Sequence, residues 1–130
     1  MQIIGLGTEI VECLRIGQMI ERHGELFLTR VYTAREIQCC RAQKQVTEQF
    51  AERWAAKEAI VKCLGTGWRR GLSWTDIEVR HLPEMGPKVY LCGSAKERAI
   101  AREIGEILLT MAHCRAYATA TAIAVKGDRK

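Results

Sequence analysis

From Gln2 to Thr8 the chain is apolar and β-rich but broken by Gly5 and Gly7, a pattern that predicts a strand where another backbone comes close. Glu9 stands just past its apolar part. From Cys13 to Arg30 the spacing turns helical, with an interruption at Gly24. Thr33-Ala34-Arg35-Glu36 then has the Thr-x-x-Glu form of a capping box, which opens another short helix. Ser94-Ala95-Lys96-Glu97 repeats that form and predicts a helix ending near Gly105, a residue suited to a left-handed cap.

The strongest element runs from about Thr47 to Leu64, with alanines at 51, 55, 56 and 59 and Gly65 just beyond. At about 100° per residue, Phe50, Trp54, Val61 and Leu64 share one face and Ala51, Ala55 and Ala59 mark another. Such a helix is largely buried, and Lys57 falls within its large apolar face. After Gly71 the period changes to two: Ile77 and Val79 alternate with Asp76, Glu78 and Arg80. The Pro83-Glu84-Met85-Gly86-Pro87 turn and then Val89 and Leu91 complete a β-hairpin. Two further strands are expected at Ile107 to Met111 and Tyr117 to Val125, separated by His113-Cys114-Arg115. In the second, Ala118, Ala120, Ala122 and Ala124 form one methyl face on which the Ala-rich side of the long helix can pack. The order is α+β, a long central helix on antiparallel strands, with no linker to divide it.

The 130 residues suffice for a self-supporting core, and one domain over residues 1–130 is expected. With 48% hydrophobic residues, 27% charged ones and two prolines, the composition is neither disordered nor fibrous. No apolar run reaches the 18 or so residues of a membrane helix, and Glu9 interrupts what would be a signal peptide's apolar region. The expected location is cytoplasmic. The six cysteines (Cys13, Cys39, Cys40, Cys63, Cys92 and Cys114) have no zinc-site spacing and are expected to stay reduced. The formal charge of +5 favours an anionic partner, an acidic protein or a phosphate-bearing small molecule. Nucleic acid rests on net charge alone, because no run interleaves basic with aromatic residues, and no nucleic acid is expected.

Glu58 and Lys62 form an i, i+4 acid-then-base pair, which by spacing alone is a surface ion pair. Their apolar surround adds a second reading, in which a divalent cation and phosphates satisfy both groups. Glu9 reads equally as an exposed strand-end charge and as a second carboxylate able to reach that ion. Gly65-Thr66-Gly67 closes the helix as a C-cap and turn, and its small residues also admit a bulky anion, with Arg69 and Arg70 as counter-charges. It matches neither a Walker A loop nor a dinucleotide fingerprint. His113, at the junction of the last two strands, reads as structural by composition alone, and no activated-nucleophile motif is present.

Three segments together resemble the motifs of holo-acyl-carrier-protein synthases, the small bacterial 4′-phosphopantetheinyl transferases. They are Ile4-Gly5-Leu6-Gly7-Thr8-Glu9-Ile10-Val11-Glu12; Phe50-Ala51-Glu52-Arg53-Trp54-Ala55-Ala56-Lys57-Glu58-Ala59 with Lys62 and Gly65-Thr66-Gly67; and His113-Cys114-Arg115-Ala116-Tyr117-Ala118. The likeness covers residues 2 to 125 and includes Leu72-Ser73-Trp74-Thr75-Asp76-Ile77-Glu78. It implies transfer of the phosphopantetheine arm of coenzyme A to a serine of an apo acyl carrier protein, releasing adenosine 3′,5′-bisphosphate. It also implies Mg²⁺ and a homotrimer with sites between subunits.

On that resemblance Glu9 and Glu58 hold the metal, and Glu58, Lys62 and His113 are the catalytic candidates. Arg53, Lys57, Lys62, His113 and the Gly65-Thr66-Gly67 loop contact coenzyme A, and Arg15, Arg22 and Arg30 form the docking face for the carrier protein. Either Glu58 or a water on the metal accepts the serine proton. The chain departs from the family's usual residues at Glu9 (commonly Asp), Ala112 (Ser or Thr), Ala116 (an acid) and in the order Gly86-Pro87-Lys88. A second class therefore stays open, a chain that binds an acyl carrier protein or coenzyme A without efficient turnover.

Overall fold

The computed structural model describes residues 1–69 and 71–128; Arg70, one of the expected counter-charges, lies outside the described residues. The elements run β1 (Ile3–Glu12), α1 (Cys13–His23), α2 (Glu25–Val31), α3 (Ala34–Arg41), α4 (Val46–Leu64), a 3₁₀ turn (Trp74–Asp76), β2 (Ile77–Leu82), β3 (Gly86–Leu91), α5 (Gly93–Ala101), β4 (Ile104–His113) and β5 (Tyr117–Lys126). Two antiparallel sheets form, β1-β5-β4 and the hairpin β2-β3. The α+β class with a long helix on antiparallel strands is the one the residue pattern predicts. Among the described residues no helix is long and apolar enough to cross a membrane.

Helix α4 is buried on nearly every side: twelve of its nineteen residues are buried, including Glu52, Arg53 and Lys57. Its backbone lies directly on β1. A Cβ at Gly7 would stand 1.9 Å from the Ala59 carbonyl oxygen, and one at Gly5 would stand 2.6 Å from that of Cys63, so only glycine fits at either place. The methyl face Ala118, Ala120, Ala122 and Ala124 is fully buried, and α4 packs on β5 as well as on β1. The expected close backbone approach and alanine-on-alanine packing are thus both realised.

The end of α4 is secured twice. Gly65 takes the left-handed conformation (φ 78°) and its N–H reaches the Val61 and Lys62 carbonyls, both at 3.2 Å. From α5, Arg98 donates to the Leu64 carbonyl (3.0 Å), and Arg102 donates to those of Cys63 (2.8 Å) and Ile4 (3.3 Å). Two cations at a helix C-terminus satisfy carbonyls that otherwise lack partners and complement the helix dipole.

Three expectations are corrected. β1 extends four residues further than its apolar part, because β5 pairs with it as far as Glu12; Glu9 therefore sits inside the strand, opposite Ala120. Helix α5 begins at Gly93, ahead of Ser94, and no side chain caps it. It ends at Ala101 rather than near Gly105, because Glu103 turns the chain at φ 60°. Gly105 belongs to β4, where a Cβ would lie 2.3 Å from the Gly127 Cα. The Thr33–Glu36 capping box does form, with Glu36 N–H donating to Thr33 Oγ1 (3.2 Å) and Thr33 N–H to Glu36 Oε1 (2.8 Å).

Glu36 does more than cap. Its Oε1 lies 2.7 Å from Lys57 Nζ, and its Oε2 accepts the Val79 N–H at 2.8 Å. Lys57 Nζ also donates to the carbonyls of Val31 (2.6 Å) and Trp74 (3.1 Å). One ion pair with 0% exposure on both sides thus joins α2, α3, α4, the 3₁₀ turn and β2. Burial pushes the Lys57 ammonium below its ordinary range, and Glu36 opposes that shift. Removing one partner strands a buried charge, so Lys57→Met or Glu36→Ala alone should cost about 3–5 kcal/mol in urea unfolding. A loss under about 1 kcal/mol, the size of a surface pair, would show that the pair is not structural.

Candidate functional site

Three of the expected site residues converge where the last two turns of α4 pass over β1. Glu58 and Lys62 are successive on one side of α4, and Glu9 rises from β1 beneath them. Lys62 Nζ donates to the Thr8 carbonyl at 2.7 Å and lies 3.5 Å from Glu9 Oε2. Its side chain is still 50% exposed, so the ammonium remains open to an incoming anion. Burial raises the Glu58 carboxyl above the usual carboxylate range, and the charge on Glu9 raises it further; a hydrogen bond from Trp68 and the charges of Lys62 and Arg15 oppose this. Arg15, from the first turn of α1, thus belongs to the electrostatic surroundings of Glu58.

Two like-charged carboxylates next to a half-exposed ammonium suit a hard cation. Among the described residues no group of three or more His, Cys, Asp or Glu converges. Mg²⁺ commonly uses one or two carboxylates and completes its shell with water and substrate phosphates, so Glu9 and Glu58 fit it as a pair. The Gly65-Thr66-Gly67 loop leads away from α4 with both glycines in the left-handed region (φ 78° and 63°). The Thr66 hydroxyl is exposed and donates to the neighbouring Gly67 carbonyl at 2.9 Å.

His113 is elsewhere. At the end of β4 its Nδ1 pairs with Glu52 and its Nε2 lies 2.9 Å from Gln45 Oε1. Glu52 and Glu58 are six residues apart on α4, which puts them about 9 Å apart along the axis and about 120° apart around it. Within one chain, then, His113 and the Glu9/Glu58/Lys62 cluster lie on different sides of α4.

Within the single chain two of the expected phosphate contacts have other partners. Lys57 is held by its core ion pair with Glu36. Arg53 is 1% exposed, with Nη1 on the Gln49 carbonyl (3.5 Å) and Oε1 (3.1 Å) and Nη2 on Cys39 Sγ (3.4 Å). Both side chains point into the body of the fold because α4 is buried on the face that carries them.

Arg15, Arg22 and Arg30 are exposed on α1 and α2. Between these helices and α4 opens a cleft of about 430 Å³, lined by Met19, Leu26, Phe27, Arg30, Trp54 and Trp74 among others, with Leu26 80% exposed at its edge.

Residue spacing did not single out Trp68 or Trp74. The indole of Trp68 donates to Glu58 Oε1 at 3.2 Å. It stacks on Trp74 with centroids 3.9 Å apart, and Trp74 stacks on Trp54 at 5.6 Å. All three tryptophans of the chain lie in that ladder. Their gathering within residues 54–74 was the one signal in the sequence.

Residues 5–122 match the family model described as the 4′-phosphopantetheinyl transferase superfamily. A holo-[acyl-carrier-protein] synthase of Rhodopirellula baltica is 49% identical over 120 residues, 92% of this chain and 95% of the relative. Another, of Desulforudis audaxviator, is 44% identical over 123 residues, 95% of this chain and 93% of the relative. Among solved structures, a Plasmodium yoelii acyl carrier protein synthase with ADP bound superposes with a TM-score of 0.86 (32% identity, 98% of each chain). A Helicobacter pylori holo-[acyl-carrier-protein] synthase in complex with coenzyme A gives 0.81 (28% identity, 92% of this chain and 99% of that one). With the motif segments, the fold and the likeness across nearly its whole length in agreement, the chain belongs to the 4′-phosphopantetheinyl transferase superfamily, as an enzyme of the holo-acyl-carrier-protein synthase family.

Proposed function

We propose that this chain, as one domain over residues 1–130, moves the 4′-phosphopantetheine arm of coenzyme A onto a serine hydroxyl of an apo acyl carrier protein in the cytoplasm. The observation that carries the reading is Lys62, half exposed between the carboxylates of Glu9 and Glu58. The serine oxygen attacks the phosphorus that bears the pantetheine arm. The bond from that phosphorus to the bridging pyrophosphate oxygen breaks, and adenosine 3′,5′-bisphosphate leaves with the electron pair. Lys62 sits against a pyrophosphate oxygen, and the serine proton passes to Glu58 or to water at the site. Mg²⁺, held by Glu9 and Glu58, supplies neutralisation of the pyrophosphate charge when bound. The glycines of the Gly65-Thr66-Gly67 loop leave room for the rest of coenzyme A.

The separation of His113 from Glu58 supports a site completed between subunits of a homotrimer, in which His113 of one copy faces coenzyme A held by another. The outer face of the β1-β5-β4 sheet supports the same assembly: Leu6 and Ile10 on β1 are 64% and 62% exposed in the single chain, and Leu108, across β5 on β4, is exposed too. The carrier protein docks on α1 and α2. Exposed Arg22 and Arg30 offer charge to an acidic partner, and the adjoining apolar cleft receives its side chains.

Incubated with coenzyme A, Mg²⁺ and a panel of apo carrier proteins, the purified chain should add the phosphopantetheine mass to the carrier serine, as read by mass spectrometry. Glu58→Ala should lower the rate by about 10²–10⁴-fold. Binding of coenzyme A without any mass gain on any carrier would instead make the chain a binder without turnover.

Arg22→Glu with Arg30→Glu should raise the KM for the carrier protein about tenfold or more, by about 1.4 kcal/mol per decade, and leave the KM for coenzyme A unchanged. The effect should shrink at high salt. Arg15→Glu should in addition lower kcat, since Arg15 helps set the charge at Glu58. Equal changes in both KM values would remove the docking face from α1 and α2.

Glu9→Gln removes one charge at nearly constant shape and should raise the Mg²⁺ concentration for half-maximal rate; Glu9→Asp should lower it, because Mg²⁺ demands near-ideal geometry at short range. If neither changes the metal dependence, Glu9 is not a ligand.

A further inference from the structure

Glu58 is reached by one hydrogen-bond donor among the described residues, the indole N–H of Trp68. The chain is built to bring it there. Trp68 follows the Gly65-Thr66-Gly67 turn, whose two left-handed glycines reverse the direction of α4 and carry the indole back to a residue ten positions earlier. The ring is then clamped by stacking. Trp74, at the 3₁₀ turn, lies 3.9 Å from it at an interplanar angle of 26°, and is itself backed at 5.6 Å by Trp54, one helical turn before Glu58 on α4. The C-terminal loop of α4, the 3₁₀ turn and α4 itself thus converge on one carboxylate oxygen.

An indole donates one hydrogen bond and accepts none, so it can hold a carboxylate without competing for a cation. It engages Oε1, and among the described residues Oε2 has no hydrogen-bond donor. A glutamate carboxylate is otherwise free to spin about its terminal torsion, which is broad and roughly two-fold. We propose that Trp68 is a positioning residue for Glu58: its N–H pins Oε1 and so leaves Oε2 for the divalent cation. This rests on the reading above that Glu58 holds the cation. It accounts for a tryptophan at 68 in a way that packing alone does not, since stacking on Trp74 needs an aromatic ring but no N–H.

Trp68→Phe separates the two roles, keeping the ring and losing the donor. Mn²⁺ serves as the probe, its free concentration read by electron paramagnetic resonance with coenzyme A present and no carrier protein, so that turnover does not enter. Outer-shell partners of a metal ligand are worth about 10–100-fold in metal affinity, and Trp68→Phe should weaken Mn²⁺ binding by that factor. Coenzyme A affinity without metal should stay as in the parent chain. Turnover should show a raised metal requirement, with kcat at saturating metal nearly restored.

Unchanged Mn²⁺ affinity in Trp68→Phe overturns the proposal and leaves the role of Glu58 intact. An equal loss of metal-free coenzyme A affinity also overturns it, making Trp68 a wall of the coenzyme A site. If the parent chain binds no Mn²⁺ with coenzyme A, the assignment of Glu58 to the cation fails and the proposal falls with it. Should Trp68→Phe not fold, the parent chain still decides the matter through its three indole N–H resonances. Adding Mg²⁺ with coenzyme A should shift that of Trp68 more than those of Trp54 and Trp74; equal or absent shifts overturn the proposal.

Discussion

An ammonium with no exposed surface must be paired on every side, and Lys57 is. Its carboxylate partner Glu36 caps α3 and accepts the N–H of Val79, while Val31 and Trp74 supply carbonyls. Because these groups belong to five different elements, none can shift without leaving a charge or a backbone dipole unsatisfied in a low-dielectric interior. The pair holds the helical layer, the 3₁₀ turn and the β2-β3 hairpin on the inner side of α4. Tyr32 adds to the same junction, its hydroxyl donating to the Phe50 carbonyl at 2.7 Å.

Neighbouring residues on a helix differ by about 100° in direction, and the chemistry of this site depends on that step. With Lys57 anchored inward, Glu58 is turned toward β1 and Lys62 follows one turn later on the same side. The distance from helix to strand is then set by the absence of side chains. Gly5 and Gly7 let the α4 backbone rest on β1, and this brings Glu9, on the same inward-facing row as Gly7, beside Lys62. A larger residue at 7 would lift α4 away and part the two carboxylates. The cluster therefore depends on packing: the core pair orients the helix, the glycines set its height, and Glu9 meets Lys62 at the contact.

Much of this was legible in the linear pattern. The alanine and apolar rows of residues 47–64 announced a buried helix, and the alternating alanines of 118–124 announced the strand face against it. The glycines at 5 and 7 announced close approach, and the pairing of Glu58 with Lys62 followed from i, i+4 spacing. These features are local, and the physics that produces them acts within a few residues.

What the residues alone could not show were the partners that meet across long separations. The pattern placed Lys57 on an apolar face of α4, but its partner Glu36, twenty-one positions away, is brought to it only by the fold. Glu9 looked like a strand-end charge until pairing with β5 prolonged β1 past it, and Gly105 looked like a helix cap until it met Gly127 across a strand pair. The contact of Trp68 with Glu58 depends on a reversal at two left-handed glycines, and that of His113 with Glu52 depends on where β4 ends. By itself the sequence determined most of the elements, the family and the spacing of Glu58 and Lys62, because each is written in short-range pattern. Tertiary structure alone decided which charges are spent on the core and which remain free for a ligand, because that choice depends on desolvation, which only the assembled fold creates.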